Sequence, residues 1–334
     1  MSKYAIVLAG GLGSKFWPNS TERVPKQFIH IIGEGTCIQN TYKRLLNFFD
    51  KENIYFVTSY SHKNIIREQL PYVNEYNIIY EPFGRNTAPA TALAVNYILH
   101  RGASPDSLIA IFPSDHIIYN QGEFFNSLDL AFTTANLLDS IITIGVSPTR
   151  PESQYGYIQI QPDESLKIEN NDRIVYFCLT FAEKPDSGTA KRFIESGDFL
   201  WNSGIFVLKI ESFLHALSNY LPEYADKFKN LDKYFGTNDY IENLKYIYKQ
   251  INSISLDYGI LEKANNVYCI DASFTWSDLG SWDEVYRLQL KDANNNVIQG
   301  DVVSIEDKNC FVRSNGKLIA LVGVEDLIVI DSGD

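Results

Sequence analysis

The stretch that decides the fold runs from the apolar segment Tyr4-Ala5-Ile6-Val7-Leu8-Ala9 through Gly10-Gly11-Leu12-Gly13-Ser14-Lys15-Phe16-Trp17-Pro18 to Pro25-Lys26-Gln27-Phe28. An apolar, β-prone run followed by a glycine-rich turn is typical of a parallel sheet that presents backbone N–H groups to phosphate. Lys15 and Lys26 add fixed positive charge. The stretch therefore predicts a cradle for nucleotide phosphates at the end of the first strand.

The glycine spacing differs from that of two common phosphate-binding loops. A Walker A loop needs Gly-Lys followed by Ser or Thr, and a dinucleotide-binding loop needs a third glycine at the start of a helix. Neither is present, and Lys15-Phe16-Trp17-Pro18 is a stiff continuation that we do not expect to be helical. Taken alone, the stretch also fits an ordinary tight turn with two surface lysines.

Strand and helix patterns alternate over the following hundred residues. We predict buried strands at Ile54–Thr58, Ile78–Tyr80, Leu108–Phe112 and Ile141–Val146. We predict helices at Thr36–Phe49, Ser61–Leu70, Thr87–Leu99 and Glu123–Leu137. This alternation is typical of a doubly wound α/β sheet, in which ligands bind beyond the carboxyl ends of the strands. The glycine-rich stretch, Glu81 and Asp115 would then lie at one cleft.

The pattern changes twice in the second half of the chain. After about Pro148 the alternation loosens into hairpins and helices, and after about Asn294 short strands with turn residues follow. We predict strands there at Val297–Ile305, Asn309–Val312, Leu318–Val324 and Leu327–Ile330. The expected domains are a catalytic domain over residues 1–290 and a short C-terminal domain over residues 291–334.

Composition narrows the class of protein. The chain has 334 residues, of which 45% are hydrophobic, so it can bury a large core. A formal net charge of -12 argues against general binding to nucleic acid or to anionic membranes, since both need broad basic surfaces. Positive charge for a phosphate ligand must therefore be local, and the candidates are Lys15, Arg23, Lys26, Arg85 and Lys184.

Targeting and metal-binding patterns are missing from the sequence. The first apolar run stops at the glycines, unlike a signal peptide, and no apolar stretch is long enough to span a bilayer. Four isolated cysteines favour neither zinc nor a disulfide framework: Cys37, Cys178, Cys269 and Cys310. We expect a cytoplasmic protein.

The opening stretch resembles the signature of sugar-1-phosphate nucleotidyltransferases, specifically the mannose-1-phosphate guanylyltransferases, also called GDP-mannose pyrophosphorylases. Further blocks resembling that family follow in its order over nearly the whole chain: Glu81-Pro82-Phe83-Gly84-Arg85-Asn86-Thr87-Ala88-Pro89-Ala90, Pro113-Ser114-Asp115-His116, Tyr155-Gly156-Tyr157-Ile158, Glu183-Lys184-Pro185, Trp201-Asn202-Ser203-Gly204, Asp257-Tyr258 and Trp276-Ser277-Asp278-Leu279-Gly280-Ser281-Trp282. One departure is Lys15, where the family usually has Arg; lysine keeps the charge but loses the bidentate fork.

The resemblance implies a fold and an assembly. The expected fold is a Rossmann-like, GT-A-like α/β domain with a mixed, mostly parallel sheet, followed by a small left-handed β-helical domain. The sequence ends at Asp334, earlier than family members usually do, so we expect a missing final strand or a truncated chain. Without the extension that carries phosphomannose isomerase activity in bifunctional members, one activity is expected. The resemblance also implies a homodimer.

The implied reaction makes GDP-mannose and pyrophosphate from GTP and mannose 1-phosphate. A sugar-phosphate oxygen attacks the α-phosphate, and because that oxygen is already ionised, the protein needs no strong base. It must align two anions and neutralise the charge that develops. Mg²⁺ or another divalent cation prefers carboxylates, phosphate oxygens and water, and the resemblance supplies Asp115 and Asp278 as its ligands.

The resemblance also assigns roles to individual residues. The predicted catalytic residues are Lys26, which holds the triphosphate, Lys184, which pairs with the phosphate of the sugar, and the two aspartates. The predicted nucleotide-binding residues are Leu8, Ala9, Gly10, Gly11, Gly13, Ser14, Lys15, Arg85, Asn86, Thr87 and Ser114. The predicted sugar-binding residues are Gly156, Glu183, Asn202 and Asp257. We give His116 no catalytic role.

Most of these residues also have an ordinary structural interpretation. Asp115 would suit a turn, and Asp278 would suit the N-cap of a helix that begins near Ser281, although Ser277 or Ser281 could take that role. The N-cap of the helix that follows Arg85 could be Asn86 or Thr87. Gly156 could simply form a hairpin turn, Lys184 could be a solvated lysine, and Asn202 could be a turn residue.

Three functions compete at this point. The first is an active GDP-mannose pyrophosphorylase, and the second is a related nucleotidyltransferase with another base or sugar. The third is a non-catalytic homologue that binds GDP-mannose and regulates a partner, which predicts eroded catalytic positions. A Rossmann oxidoreductase is a remote fourth, because the third glycine is absent.

Overall fold

We describe the fold from a computed structural model, which covers residues 1–11, 13–167 and 174–333. The strands are β1 (Lys3–Leu8), β2 (Ile54–Ser59), β3 (Ile78–Glu81), β4 (Leu108–Pro113), β5 (Ile117–Ile118), β6 (Ile141–Val146), β7 (Gly156–Lys167), β8 (Ile174–Glu183), β9 (Phe199–Lys209), β10 (Val267–Ala272), β11 (Trp276–Ser277), β12 (Val297–Gln299), β13 (Val302–Ile305), β14 (Phe311–Arg313), β15 (Ile319–Val322) and β16 (Ile328–Ile330). The helices are α1 (Cys37–Leu45), α2 (Lys63–Gln69), α3 (Thr87–His100), α4 (Gln121–Leu138), α5 (Ser187–Ser196), α6 (Ile210–Tyr220), α7 (Pro222–Leu231), α8 (Tyr240–Gln250) and α9 (Trp282–Leu288).

One large mixed sheet forms the centre of the protein. Within the described ranges it has nine strands, in the order β3-β2-β1-β4-β9-β6-β10-β8-β7. The first four are parallel neighbours, β9 runs antiparallel between β4 and β6, and β10 is again parallel to β6. Strand β7 pairs with both β8 and β9, so this half of the sheet curls back on itself. The predicted mixed α/β class is confirmed.

Alternation along β1 explains why helices cover both faces of the sheet. Ala5 and Val7 are fully buried on the face that packs against α1, α2 and α4, whereas Ile6 is buried on the face that packs against α3 and α6 to α8. Because successive side chains of a strand point to opposite faces, a continuous apolar run requires cover on both sides. The sequence of β1 therefore places it inside the sheet.

The predicted strands and helices of the first half are confirmed within a few residues at their ends. Two predictions were wrong. Residues Ser14–Phe16 form a single 3-10 turn, where we expected no helical structure. The predicted strand Val297–Ile305 is two strands, β12 and β13, separated at Gly300. Gly300 has a φ of 86°, and a Cβ there would lie 2.6 Å from the Ser314 carbonyl oxygen, so the chain turns a corner that only glycine fits.

Short parallel strands form a β-helix-like unit at the end of the chain. β12, β14 and β16 pair in one small sheet, and β13 pairs with β15 in another. This unit packs on the rest of the protein through Phe311, whose ring stacks on Trp282 at 5.6 Å. The boundary that we place at residues 290 and 291 stays a prediction. Within the described residues, no helix is long and apolar enough to cross a membrane.

Candidate active site

A cleft of about 590 Å³ lies at the carboxyl ends of β1, β3 and β4. Its lining includes eight of the residues predicted from sequence: Leu8, Gly10, Gly11, Asn86, Thr87, Ser114, Asp115 and Asp257. Parallel strands end at the same edge of a sheet, which explains why segments far apart in sequence meet there. The predicted convergence of the glycine-rich stretch, the Glu81 segment and Asp115 is therefore observed.

The glycine-rich stretch is held by Gln27, a residue that our sequence-based site omits. Its Nε2 donates to the carbonyl oxygens of Ala9 and Gly11, both at 2.9 Å. Gly13 has a φ of 49°, and a Cβ there would lie 2.5 Å from the backbone nitrogen of Lys26. Gly13 is thus required for the close approach that brings Lys26 under the loop. Leu12 and the side chain of Ser14 lie outside the described part of the chain.

Lys26 is a buried cation between the two predicted metal ligands. It is 5% exposed, and its Nζ lies 2.8 Å from Asp115 Oδ2 while donating to the backbone carbonyl of Asp278. Burial alone would raise the pKa of Asp115, but the charge of Lys26 and its hydrogen bond to the carboxylate, together with the charge of Lys15, keep that pKa below its ordinary value. Asp115 is therefore ionised at neutral pH.

A two-stranded ribbon ties the segments of Asp115 and Asp278 together. β5 begins two residues after Asp115, β11 ends one residue before Asp278, and the two strands pair antiparallel. Beside the ribbon, Trp276 Nε1 donates to His116 Nδ1 at 3.1 Å, and burial lowers the pKa of His116 to about 4. His116 is thus neutral and joins the two segments.

The carboxyl group of Asp278 is not used to cap α9. Ser281 is the N-cap, and its Oγ accepts from the Glu284 amide at 3.3 Å. Asp278 Oδ1 is buried and, among the described residues, meets no donor in hydrogen-bond geometry. Burial raises the pKa of Asp278, while Lys26 and Lys15 oppose that rise. A buried oxygen of this kind is able to accept a hydrogen bond from water or to bind a cation.

The predicted sugar-binding residues also come together. Asn202 Nδ2 donates to Asp257 Oδ1 at 2.8 Å, and Gly156 pairs with Glu183 across β7 and β8. A Cβ on Gly156 would lie 2.6 Å from Glu183 Oε2, so glycine leaves room for that carboxyl group. Burial and the neighbouring Asp257 raise the pKa of Glu183, and Lys184, with Nζ 3.5 Å from Glu183 Oε1, opposes this.

Lys184 is held in an unusual backbone conformation. Its φ is 49°, in the left-handed region, which costs a non-glycine residue about 1–2 kcal/mol. Its N–H donates to the Tyr155 carbonyl at 3.2 Å, and its side chain is 57% exposed. The side chain of Lys184 is therefore accessible beside Glu183, and its role in the site stays a prediction.

Three nucleotide-binding candidates are engaged in structural contacts. Arg85 Nε donates to the Tyr248 carbonyl at 2.9 Å, and Asn86 Oδ1 accepts from the Thr87 amide as the N-cap of α3. The hydroxyl oxygen of Thr87 accepts from the Leu256 amide at 2.8 Å. The N-cap interpretation of Asn86 is confirmed, and both Asn86 and Thr87 still line the cleft.

Glu81 is the principal cleft residue that our sequence-based site missed. It is 2% exposed, and Tyr248 donates its hydroxyl to Glu81 Oε1 at 3.1 Å. Burial raises the pKa of Glu81 to about 7, although the Tyr248 hydrogen bond opposes this. A Cβ on Gly10 would lie 2.8 Å from Glu81 Oε2, so the glycine loop closes over this carboxyl group. A carboxylate at the end of a predicted strand beside the glycine loop was the signal available in the sequence.

Fold and cleft together define an α/β protein that binds nucleotide phosphates. A glycine loop, a buried lysine and two carboxylates joined by one ribbon form one end of the site, and a polar pocket with an accessible lysine forms the other. The chain belongs to the nucleotidyl transferase family, which matches residues 4–295. Residues 300–334 match the MannoseP isomerase/GMP-like beta-helix domain.

Relatives and a solved structure agree with this family. The chain is 35% identical over 332 residues to the alginate biosynthesis protein AlgA of Pseudomonas syringae pv. tomato, covering 98% of this chain and 67% of that protein. It is 33% identical to a mannose-1-phosphate guanylyltransferase of Klebsiella pneumoniae, and the match covers 98% of this chain and 69% of that protein. A structure described as mannose-1-phosphate geranyltransferase from Thermus thermophilus superposes with a TM-score of 0.87 at 29% identity, covering 99% of this chain and 92% of that one.

Proposed function

We propose that this protein is a mannose-1-phosphate guanylyltransferase that makes GDP-mannose and pyrophosphate from GTP and mannose 1-phosphate. The observation that carries the proposal is Lys26, a buried cation in contact with both Asp115 and the Asp278 segment beside the nucleotide cleft. Relatives named mannose-1-phosphate guanylyltransferase, at 32–33% identity over nearly the whole chain, support the sugar and the base.

Two anions must approach each other in this reaction, so positive charge is the first requirement. Lys26 would hold the triphosphate and stabilise the charge that develops at the α-phosphate, and Lys15 adds its charge from the exposed side of the same loop. Lys184 would pair with the phosphate of the sugar. The attacking oxygen is already ionised, so the site needs no general base, in keeping with a neutral, hydrogen-bonded His116.

Asp115 and Asp278 fit a divalent cation such as Mg²⁺. Such ions prefer carboxylate oxygens together with phosphate and water, and Asp278 Oδ1 is a buried oxygen with no donor within the described residues. When bound, the ion would neutralise phosphate charge. Lys26 keeps Asp115 ionised and therefore able to bind it.

Glu81 supports guanine as the base. Guanine presents two adjacent donors, N1–H and the 2-amino group, and a carboxylate offers two acceptors with no donor. Adenine places a ring acceptor beside its amino group, which an ionised Glu81 would repel. The Tyr248 hydroxyl fixes the carboxyl group in place, so Glu81 would favour GTP over ATP.

The Glu183 pocket supports a hexose phosphate. A carboxylate and an amide that are both held in place, as Glu183 and Asn202 are, can distinguish neighbouring hydroxyls. A wrong epimer would leave a buried group unpaired, at about 1–3 kcal/mol. Lys184 lies beside this pocket, where it would meet the phosphate of the sugar. A homodimer and a cytoplasmic location stay predictions from the sequence.

The test is pyrophosphate release with Mg²⁺ from GTP, ATP, UTP, CTP and dTTP, each with mannose 1-phosphate and with glucose 1-phosphate. Release confined to GTP with mannose 1-phosphate, and lost in Asp278→Ala, is the expected result. Another productive pair would assign a different base or sugar. GDP-mannose binding by calorimetry with no release in any pair would overturn catalysis and indicate a regulatory homologue.

A further inference from the structure

Arg44 is a buried cation that the proposed mechanism does not use. It lies on α1, is 7% exposed, and has no carboxylate within ion-pair distance among the described residues. Burial lowers the pKa of its guanidinium to about 10, because removal from water disfavours the charged form. A charged group that is buried without a counterion needs another favourable contact to be retained.

The contacts of Arg44 lead to the loop that carries Asp115. Its Nη2 donates to the His116 carbonyl at 3.3 Å and to Thr41 Oγ1 at 3.1 Å. One turn earlier on α1, Thr41 donates its hydroxyl to the Ser114 carbonyl at 3.0 Å and is 1% exposed. The two side chains therefore hold the residues directly before and directly after Asp115.

The same loop continues into the ribbon that ends at Asp278. β5 starts one residue after His116 and pairs with β11. A displacement of the loop between Ser114 and His116 would therefore move Asp115 against Lys26 and shift the ribbon that fixes Asp278. Within the described residues, these are the side-chain hydrogen bonds that run from α1 to the two residues flanking Asp115.

We propose that Thr41 and Arg44 are positioning residues that set the distance between Asp115, Lys26 and Asp278, and thereby the geometry of the divalent-cation site. The proposal rests on the proposed function, because it assumes that Asp115 and Asp278 bind the ion. Neither side chain contacts substrate. A carboxylate that is rigidly held before the ion arrives binds it more tightly, since less ordering remains to be done.

Thr41→Val tests this proposal, because it removes the hydroxyl and keeps the size of the side chain. Thr41→Ser restores the hydroxyl. Thr134→Val is the matched control: Thr134 is also fully buried on a helix, and its hydroxyl donates to the Leu130 carbonyl at 2.8 Å, away from the site. Arg44→Lys tests the second contact, since lysine keeps the charge but lacks the planar fork.

Two readouts on the ligand-free protein separate positioning from simple stability. Amide hydrogen exchange follows residues 114–118 and 276–278, and electron paramagnetic resonance measures the affinity for Mn²⁺ alone. We expect Thr41→Val and Arg44→Lys to accelerate exchange in these segments and to weaken Mn²⁺ binding by about tenfold or more, as other supporting contacts of metal ligands do. Thr41→Ser should restore both properties.

The proposal is overturned if Thr41→Val matches Thr134→Val in both readouts, or if global unfolding alone accounts for the faster exchange. A parent protein that binds no Mn²⁺, either alone or in the presence of GTP, would refute the divalent-cation site under the proposed function. Exchange in residues 114–118 would then still decide whether Thr41 and Arg44 hold the loop. The two failures are therefore distinguishable.

Discussion

Replacing Glu81 with glutamine should stabilise the ligand-free protein at alkaline pH while impairing its use of GTP. The side chain is 2% exposed, and burial raises its pKa from 4.5 to about 7. The folded protein therefore keeps this proton between about pH 4.5 and pH 7, where the unfolded chain has released it. Because the folded state binds more protons in this window, the free energy of unfolding falls as pH rises.

The size of this effect follows from the pKa. Raising it from 4.5 to about 7 costs the ionised form about 3 kcal/mol, a figure that already includes the opposing hydrogen bond from Tyr248. Glutamine resembles the protonated carboxyl group at every pH. Glu81→Gln should therefore be up to about 3 kcal/mol more stable than the parent at pH 8 and nearly equal to it below pH 4.5.

The same substitution should reduce guanine recognition. Glutamine places an amino group where guanine needs a second acceptor, and the loss of hydrogen bonds to a charged group is worth about 1.5–3 kcal/mol, or about 10- to 100-fold in kcat/KM for GTP. Inosine triphosphate lacks the 2-amino group, so its kcat/KM should fall less. The preference of the parent for GTP over inosine triphosphate should therefore shrink in the variant.

Urea unfolding at pH 5 and pH 8 measures the first effect, and steady-state pyrophosphate release measures the second. Glu52→Gln is the matched control, since the side chain of Glu52 is 71% exposed and lies away from the cleft. An equal stability difference at both pH values would refute the assigned pKa. A kcat/KM for GTP within threefold of the parent would refute base recognition by Glu81.

Three further substitutions test the rest of the site. Lys26→Met should lower kcat by about 100-fold or more, because it removes charge stabilisation at the α-phosphate. It should also raise the pKa of Asp115, which NMR titration measures. An unchanged kcat would contradict the role of Lys26. Lys184→Met should raise KM for mannose 1-phosphate more than KM for GTP. Equal changes in the two KM values would contradict the pairing of Lys184 with the phosphate of the sugar. Gly156→Ala should also raise KM for mannose 1-phosphate, because its Cβ would lie 2.6 Å from Glu183 Oε2. Calorimetry measures the affinity of this variant for mannose 1-phosphate. An unaltered affinity would exclude a sugar pocket at Glu183.

Elements with a strong local pattern were predictable from the sequence. The apolar run of β1 and the alternation of strands and helices up to β6 gave the α/β class, because side-chain periodicity reports directly on which faces are buried. The corner at Gly300 was not predictable in the same way. The polar segment Gln299-Gly300-Asp301 separates the apolar residues on either side, and the left-handed φ of Gly300 and its close approach to the Ser314 carbonyl turn the chain there.

In the candidate site, too, some residues were predictable from local sequence patterns and others were not. Motifs identified Lys26, Asp115 and Asp278, since each lies in a recognisable block of sequence. Glu81 belongs to such a block, but its importance depends on burial beside Gly10, which no local pattern contains. Arg44 had no signal at all, because an arginine on an amphipathic helix is usually exposed.

By itself, the sequence determined the class of fold, the family resemblance and the residue types available for phosphate and metal. The tertiary structure decided which of these residues lie close together. The pairing of β5 with β11 joins Asp115 to Asp278, and the depth of the cleft sets the pKa of Glu81. The physical reason is that charge, hydrogen bonding and desolvation depend on distances between residues far apart in the chain, and folding alone fixes those distances.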